Sequence, residues 1–113
     1  MEHKTLKSYQ EFSDEKFTKR IVYKIGESTV FLLNFLPGQA LPAHGHSGTE
    51  VYILVLQGNG TFTIDGVEIA ASAHDTVHCG GQESLAFTND GSDPVSLYVM
   101  LNKIPDDRYA QNV

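Results

Sequence analysis

The chain has 113 residues, with 8 Lys and Arg against 14 Asp and Glu for a formal charge of −6, and 41% of its residues are hydrophobic. That is the length of one compact domain, with roughly two thirds of the unfolded surface available for burial, so a core can form without metal or disulfide staples. The single cysteine, Cys79, excludes an internal disulfide framework; the acidic balance, with no basic cluster beyond Lys19-Arg20, argues against nucleic acid as a partner; and the longest apolar run, Val51 to Leu56, is far short of the ~20 residues of a membrane span.

Met1 to Lys16 alternates charges with isolated apolar residues and holds no stretch like the core of a signal peptide, so a cytoplasmic protein with no membrane partner is expected. Residues 1–19 are polar with Tyr9, Phe12 and Phe17 as anchors, and form an N-terminal extension, either an edge strand or a short helix. Residues 20–104 carry short β-branched and aromatic runs separated by Gly, Pro, Asn and Asp, an all-β pattern. The expected strands are Arg20 to Ile25, Thr29 to Leu36, Glu50 to Leu56, Thr61 to Ile64, Val67 to Ala70, Thr76 to Cys79, Ser84 to Thr88 and Val95 to Asn102. Gly58-Asn59-Gly60 and Asp65-Gly66 tolerate positive φ, which makes Val51 to Ala70 a pair of consecutive hairpins. Eight strands of this length suggest a closed barrel or sandwich, and residues 105–113 form a C-terminal tail.

Chemistry concentrates between Pro37 and Glu50. On extended chain His44 and His46 point to the same side, and Glu50, four residues on, keeps even parity, so the three can converge on one point. Two imidazoles and a carboxylate suit Zn²⁺, Fe²⁺, Mn²⁺, Co²⁺ or Ni²⁺, with positions left open for substrate. Among the remaining candidates, His78 and Cys79 are adjacent, so a regular strand turns at most one of them inward. His74 fits a turn position with positive φ.

The stretch from about Thr29 to Leu101 resembles the cupin superfamily, whose first motif is G-x5-H-x-H-x3,4-E-x6-G. Gly38, His44, His46 and Glu50 match it, and Gly58 follows Glu50 after seven residues rather than six. Either a β-bulge absorbs the extra residue or Glu50 misses the cavity. The second motif, G-x5-P-x-G-x2-H-x3-N, is degraded: anchored on Asp75 and Asn89, it places Leu85 where the family has its remaining histidine.

The resemblance implies a cupin-type double-stranded β-helix (jelly-roll) barrel that binds a divalent metal through His44, His46 and Glu50, with His78 or Cys79 as replacement ligands. It allows a metal-dependent oxygenase or isomerase acting on a small organic acid or sugar. The alternative is a non-catalytic module, with or without a metal, that binds a small ligand as a sensor or carrier. Tyr52, Phe62, Leu85 and Tyr98 are the candidate substrate contacts. A homodimer is the assembly implied, with Ile21-Val22-Tyr23 lying on the partner subunit.

Overall fold

A computed structural model describes residues 1–103. The expected tail at 105–113 lies outside them. A 3-10 turn (Leu6–Tyr9) precedes nine strands: β1 (Thr18–Ile25), β2 (Ser28–Phe35), β3 (Ala40–Gly45), β4 (Thr49–Gln57), β5 (Asn59–Ile64), β6 (Val67–Ser72), β7 (Thr76–Cys79), β8 (Ser84–Thr88) and β9 (Val95–Lys103). Eight of these are the expected strands, lengthened or trimmed at their ends. The ninth, β3, is the histidine segment, which the sequence presents as a bent approach to a strand rather than as a strand.

Two antiparallel sheets result, in the orders β1-β2-β9-β4-β7 and β3-β8-β5-β6. Without β1 each sheet has four strands, and together they make an eight-stranded jelly roll, the double-stranded β-helix expected from the motif. β1 adds a fifth strand by pairing with β2 of its own chain, through a bulge between Ile21 and Tyr23. The Asp65-Gly66 turn has φ of 48° and 81°, and His74 has φ of 78°, the conformations their sequence contexts favour.

Alternation decides which residues fill the barrel. Phe31, Leu33 and Phe35 of β2, Val51, Ile53 and Val55 of β4, and Val95, Leu97 and Val99 of β9 all turn into one core cluster. Phe35, Phe62 and Phe87 pack ring against ring, with centroids 4.9 and 4.7 Å apart, and Phe17 stacks on Phe35 from the side of β1. The intervening residues face outward. Among them Asn34 is fully buried: its amide donates to Tyr9 O (2.8 Å) and Thr18 Oγ1 (3.2 Å) and accepts from Ser96 Oγ (2.7 Å), which ties the N-terminal segment to the sheet.

Asn89, which survives from the second motif, has a structural role. Its amide donates to Phe35 O (3.1 Å) and Asp93 O (2.9 Å) and accepts from Gly91 N (3.1 Å), holding the β8–β9 connection against the end of β2. Asn89→Ala should lower unfolding stability by about 2–3 kcal/mol, because it strands backbone groups at a fully buried position. Urea denaturation would show this as a shifted midpoint with an unchanged slope.

Candidate functional site

Between the two sheets, beside the phenylalanine cluster, lies a cavity of about 160 Å³. Phe31, Val51, Phe62, Leu85, Leu97 and Val99 form most of its wall and are at least nine-tenths buried. Its polar lining comes from Lys19, His44 and His46, which are partly or fully exposed and so mark the mouth.

Both histidines of the first motif therefore reach the cavity. His44 stands on β3 opposite Leu85 of β8, and its Nδ1 donates to Pro42 O (2.9 Å), so the proton sits on Nδ1 and the lone pair on Nε2 in the neutral ring. The two imidazoles meet edge to face, 4.5 Å between centroids. Burial, then the neighbouring His44, then the Lys19 ammonium, lower the pKa of His46 below the usual imidazole value, so at neutral pH it is an uncharged ring.

Glu50 does not join them. It sits on the outer face of β4, where Oε1 accepts from His78 Nε2 (3.3 Å) and Oε2 from the Gly81 backbone N–H (3.0 Å). The parity count from His46 to Glu50 fails because the chain is not extended between them. Strand β3 ends at Gly45, and a turn with Thr49 N on His46 O (2.9 Å) and Gly48 at φ 73° intervenes, which resets the alternation. Counting back from Gly58 gives the other alignment: Val51 is the residue with six others between it and that glycine and four others between it and His46. Val51 is 1% exposed and lines the cavity, so the motif's carboxylate position is occupied by an apolar side chain. A bulge between Val55 and Gln57 does exist in β4, but it lies beyond the site and leaves Glu50 outward.

The second departure has the same sense. Leu85, aligned with the family's remaining histidine, is 3% exposed and lines the cavity directly across from His44. Neither alternative ligand replaces it. His78 is exposed, paired to Glu50 and stacked on Tyr52 (5.0 Å). Cys79 turns inward beside Val51 but is packed into the core away from the cavity, and burial first, then Glu83, Asp65 and Glu50, raises its thiol pKa. Among the described residues no three His, Cys, Asp or Glu side chains come close enough together to hold a metal ion. The residues present supply two donors of the expected set, and the other two positions are Val51 and Leu85, so the donor set does not fit the family's metal centre.

Of the expected substrate contacts, Phe62 and Leu85 line the cavity. Tyr52 and Tyr98 do not, because the inward residues of β4 and β9 are the odd-numbered ones. One polar lining residue is not among the candidates that the sequence offers. Lys19 pairs with inward-facing Leu33 across β1 and β2, and its ammonium lies 4.5 Å from the centre of the Phe31 ring. The alternation Phe17-x-Lys19 on an edge strand is the signal that could have found it.

No helix among the described residues is long and apolar enough to cross a membrane. The model of the family described as Cupin domain matches residues 31–101. A solved structure from Thermus thermophilus, that of the protein TT1209, is 25% identical and covers 93% of this chain and 100% of its own, with a TM-score of 0.87. An RmlC-like cupin protein from Desulfovibrio desulfuricans is likewise 25% identical, covering 90% and 96%, with a TM-score of 0.81. Among curated proteins, auxin-binding protein 1 of Arabidopsis thaliana is 27% identical over 94 residues, 75% of this chain, and the chain spans 47% of that protein's length. With the match running through both histidines, Val51 and Leu85, the chain belongs to the cupin family.

Proposed function

We propose that this barrel is a metal-independent binding module for a small, largely apolar molecule. The observation that carries the reading is the replacement of two metal-ligand positions by Val51 and Leu85 in the wall of a cavity that is hydrocarbon apart from Lys19, His44 and His46 at its mouth. A divalent ion needs several oxygen, nitrogen or sulfur donors held together, whereas an apolar wall of this kind supports the burial of hydrocarbon from water. The cavity's volume is roughly that which accepts a benzene ring. A curated relative whose name describes a binding protein agrees with a binding role, and the ligand in that name is not carried over.

The experiment is an NMR titration of the ¹⁵N-labelled chain with toluene in the presence of EDTA. The expected result is saturable shifts at the amides of Phe31, Val51, Leu85 and Leu97, unchanged when EDTA is replaced by Zn²⁺, Fe²⁺, Mn²⁺ or Ni²⁺. Shifts that appear only with metal, or a stoichiometric metal that leaves on His44→Ala, His46→Ala substitution, would overturn the reading.

A further inference from the structure

We propose that the molecule this cavity takes is a small monocarboxylate: a single ring or short hydrocarbon body inside the barrel, and a carboxylate at the mouth against Lys19 and His46. The inference rests on the reading of the barrel as a metal-independent binder and adds the chemical class of its ligand.

The lining discriminates among polar groups by what it lacks as much as by what it holds. It contains no hydroxyl, amide or carboxylate side chain. A sugar, whose hydroxyls each need a donor and an acceptor, would lose hydrogen bonds to water and find few replacements. An amine would meet the Lys19 ammonium with no acid to offset it. An anion meets the opposite situation. Lys19 takes part in none of the ion pairs among the described residues. Its position over the Phe31 ring holds the ammonium at the cavity's edge, within reach of an anion for a charge-assisted hydrogen bond.

His46, edge to face with His44 at 4.5 Å between ring centroids, adds a ring N–H on the same rim. This positive rim belongs to a chain with a formal charge of −6, so it is a local feature of the mouth rather than an expression of the overall charge. The apolar body limits the acid to one negative group, because a second carboxylate would have to lie among Phe62, Leu97 and Val99. Lys19 also lies outside residues 31–101, the part of the chain that matches the family, so the cation comes from the N-terminal strand added to the barrel.

The test titrates the full chain with phenylacetate and phenylacetamide, and with hexanoate and hexanamide, near neutral pH with EDTA, following the cavity amides by NMR. Each acid is expected to bind at least about tenfold more tightly than its amide, the scale of one charge-assisted hydrogen bond. Lys19→Met should remove most of that advantage while changing amide affinity less than about twofold, and Lys19→Arg should retain it. Acid and amide binding alike, or a Lys19→Met chain that keeps the preference, would overturn the carboxylate assignment and leave the apolar cavity standing. If toluene, acids and amides all fail to shift the cavity amides, the binding reading falls with it.

Discussion

A chain carrying Val51→Glu and Leu85→His is expected to acquire a tight, stoichiometric site for Zn²⁺ or Ni²⁺ where the unmodified chain has only two imidazoles. Both substituted positions face the cavity, and residue 85 sits across from His44 in the β3–β8 register, so the new groups enter the space that already holds two donors. His44 is preset for the task, since its Nδ1 proton is committed to Pro42 O and Nε2 presents the lone pair, the orientation that outer-shell hydrogen bonds give to ligating histidines. Without metal the same substitutions should be harmful. A carboxylate in place of a 1%-exposed valine costs several kcal/mol when unpaired. The variant should therefore melt at least about 10 °C lower in EDTA and recover on metal addition, because a ligand at one hundred times its Kd returns about 2.7 kcal/mol. Calorimetric titration and thermal melting with and without Zn²⁺ read both effects. Adding Glu50→Ala to the variant should leave its metal affinity unchanged, since Glu50 lies on the other face of β4. Loss of binding on that change, or equally tight binding by the unmodified chain, would show that Glu50 and not residue 51 holds the carboxylate position.

The fold is legible in the sequence because its strands obey a short-range rule. The period of two in Thr61-Phe62-Thr63-Ile64, and the Asp65-Gly66 and His74 turns, need only neighbouring residues to be read, and the structure reproduces them. The failures arise where a local rule crosses a break in the chain. Parity carries His46 to Glu50 only if the chain stays extended, and the Ser47-Gly48 pair marks the turn that breaks it. The same one-residue error puts Tyr52 on the wrong face. Strand β3 is hidden by Pro42 and Gly45, residues that weaken a strand signal yet are tolerated where the partner register is irregular, here between Leu41 and His44 against β8. Lys19 escapes notice for a different reason: charge at a strand's inward position contradicts the patterning rule, and such contradictions concentrate at functional positions. The family motif locates the histidines correctly, but whether its remaining positions carry donors depends on which strand residues the glycine sets inward.

That dependence makes Gly58 a sensitive point of the fold, and Gly58→Ala is expected to destabilise the chain by about 4 kcal/mol. Gly58 has φ of 82°, a conformation that costs an L-residue about 1–2 kcal/mol. A methyl group there would also stand 2.5 Å from Pro94 O and 2.7 Å from Val95 Cγ2. Neither neighbour can yield cheaply, because Val95 is fully buried in the core and the contacted oxygen belongs to the backbone that leads into β9, so an overpacking cost of about 1–3 kcal/mol adds to the strain. Gly66→Ala is the control: φ is 81°, and the added methyl would meet nothing within 4 Å, so only the conformational cost of about 1–2 kcal/mol should appear. Urea midpoints for the two variants separate strain from clash, and a Gly58→Ala chain as stable as Gly66→Ala would show that the β4–β9 junction is softer than its packing implies. Because Gln57 and Val55 are paired to β9 across the bulge beside Gly58, moving this junction shifts the register of β4 itself. A Gly58→Ala chain that remains folded should therefore lose toluene affinity as well as stability, since the inward setting of Val51, and with it the hydrocarbon wall of the cavity, is fixed from this end of the strand.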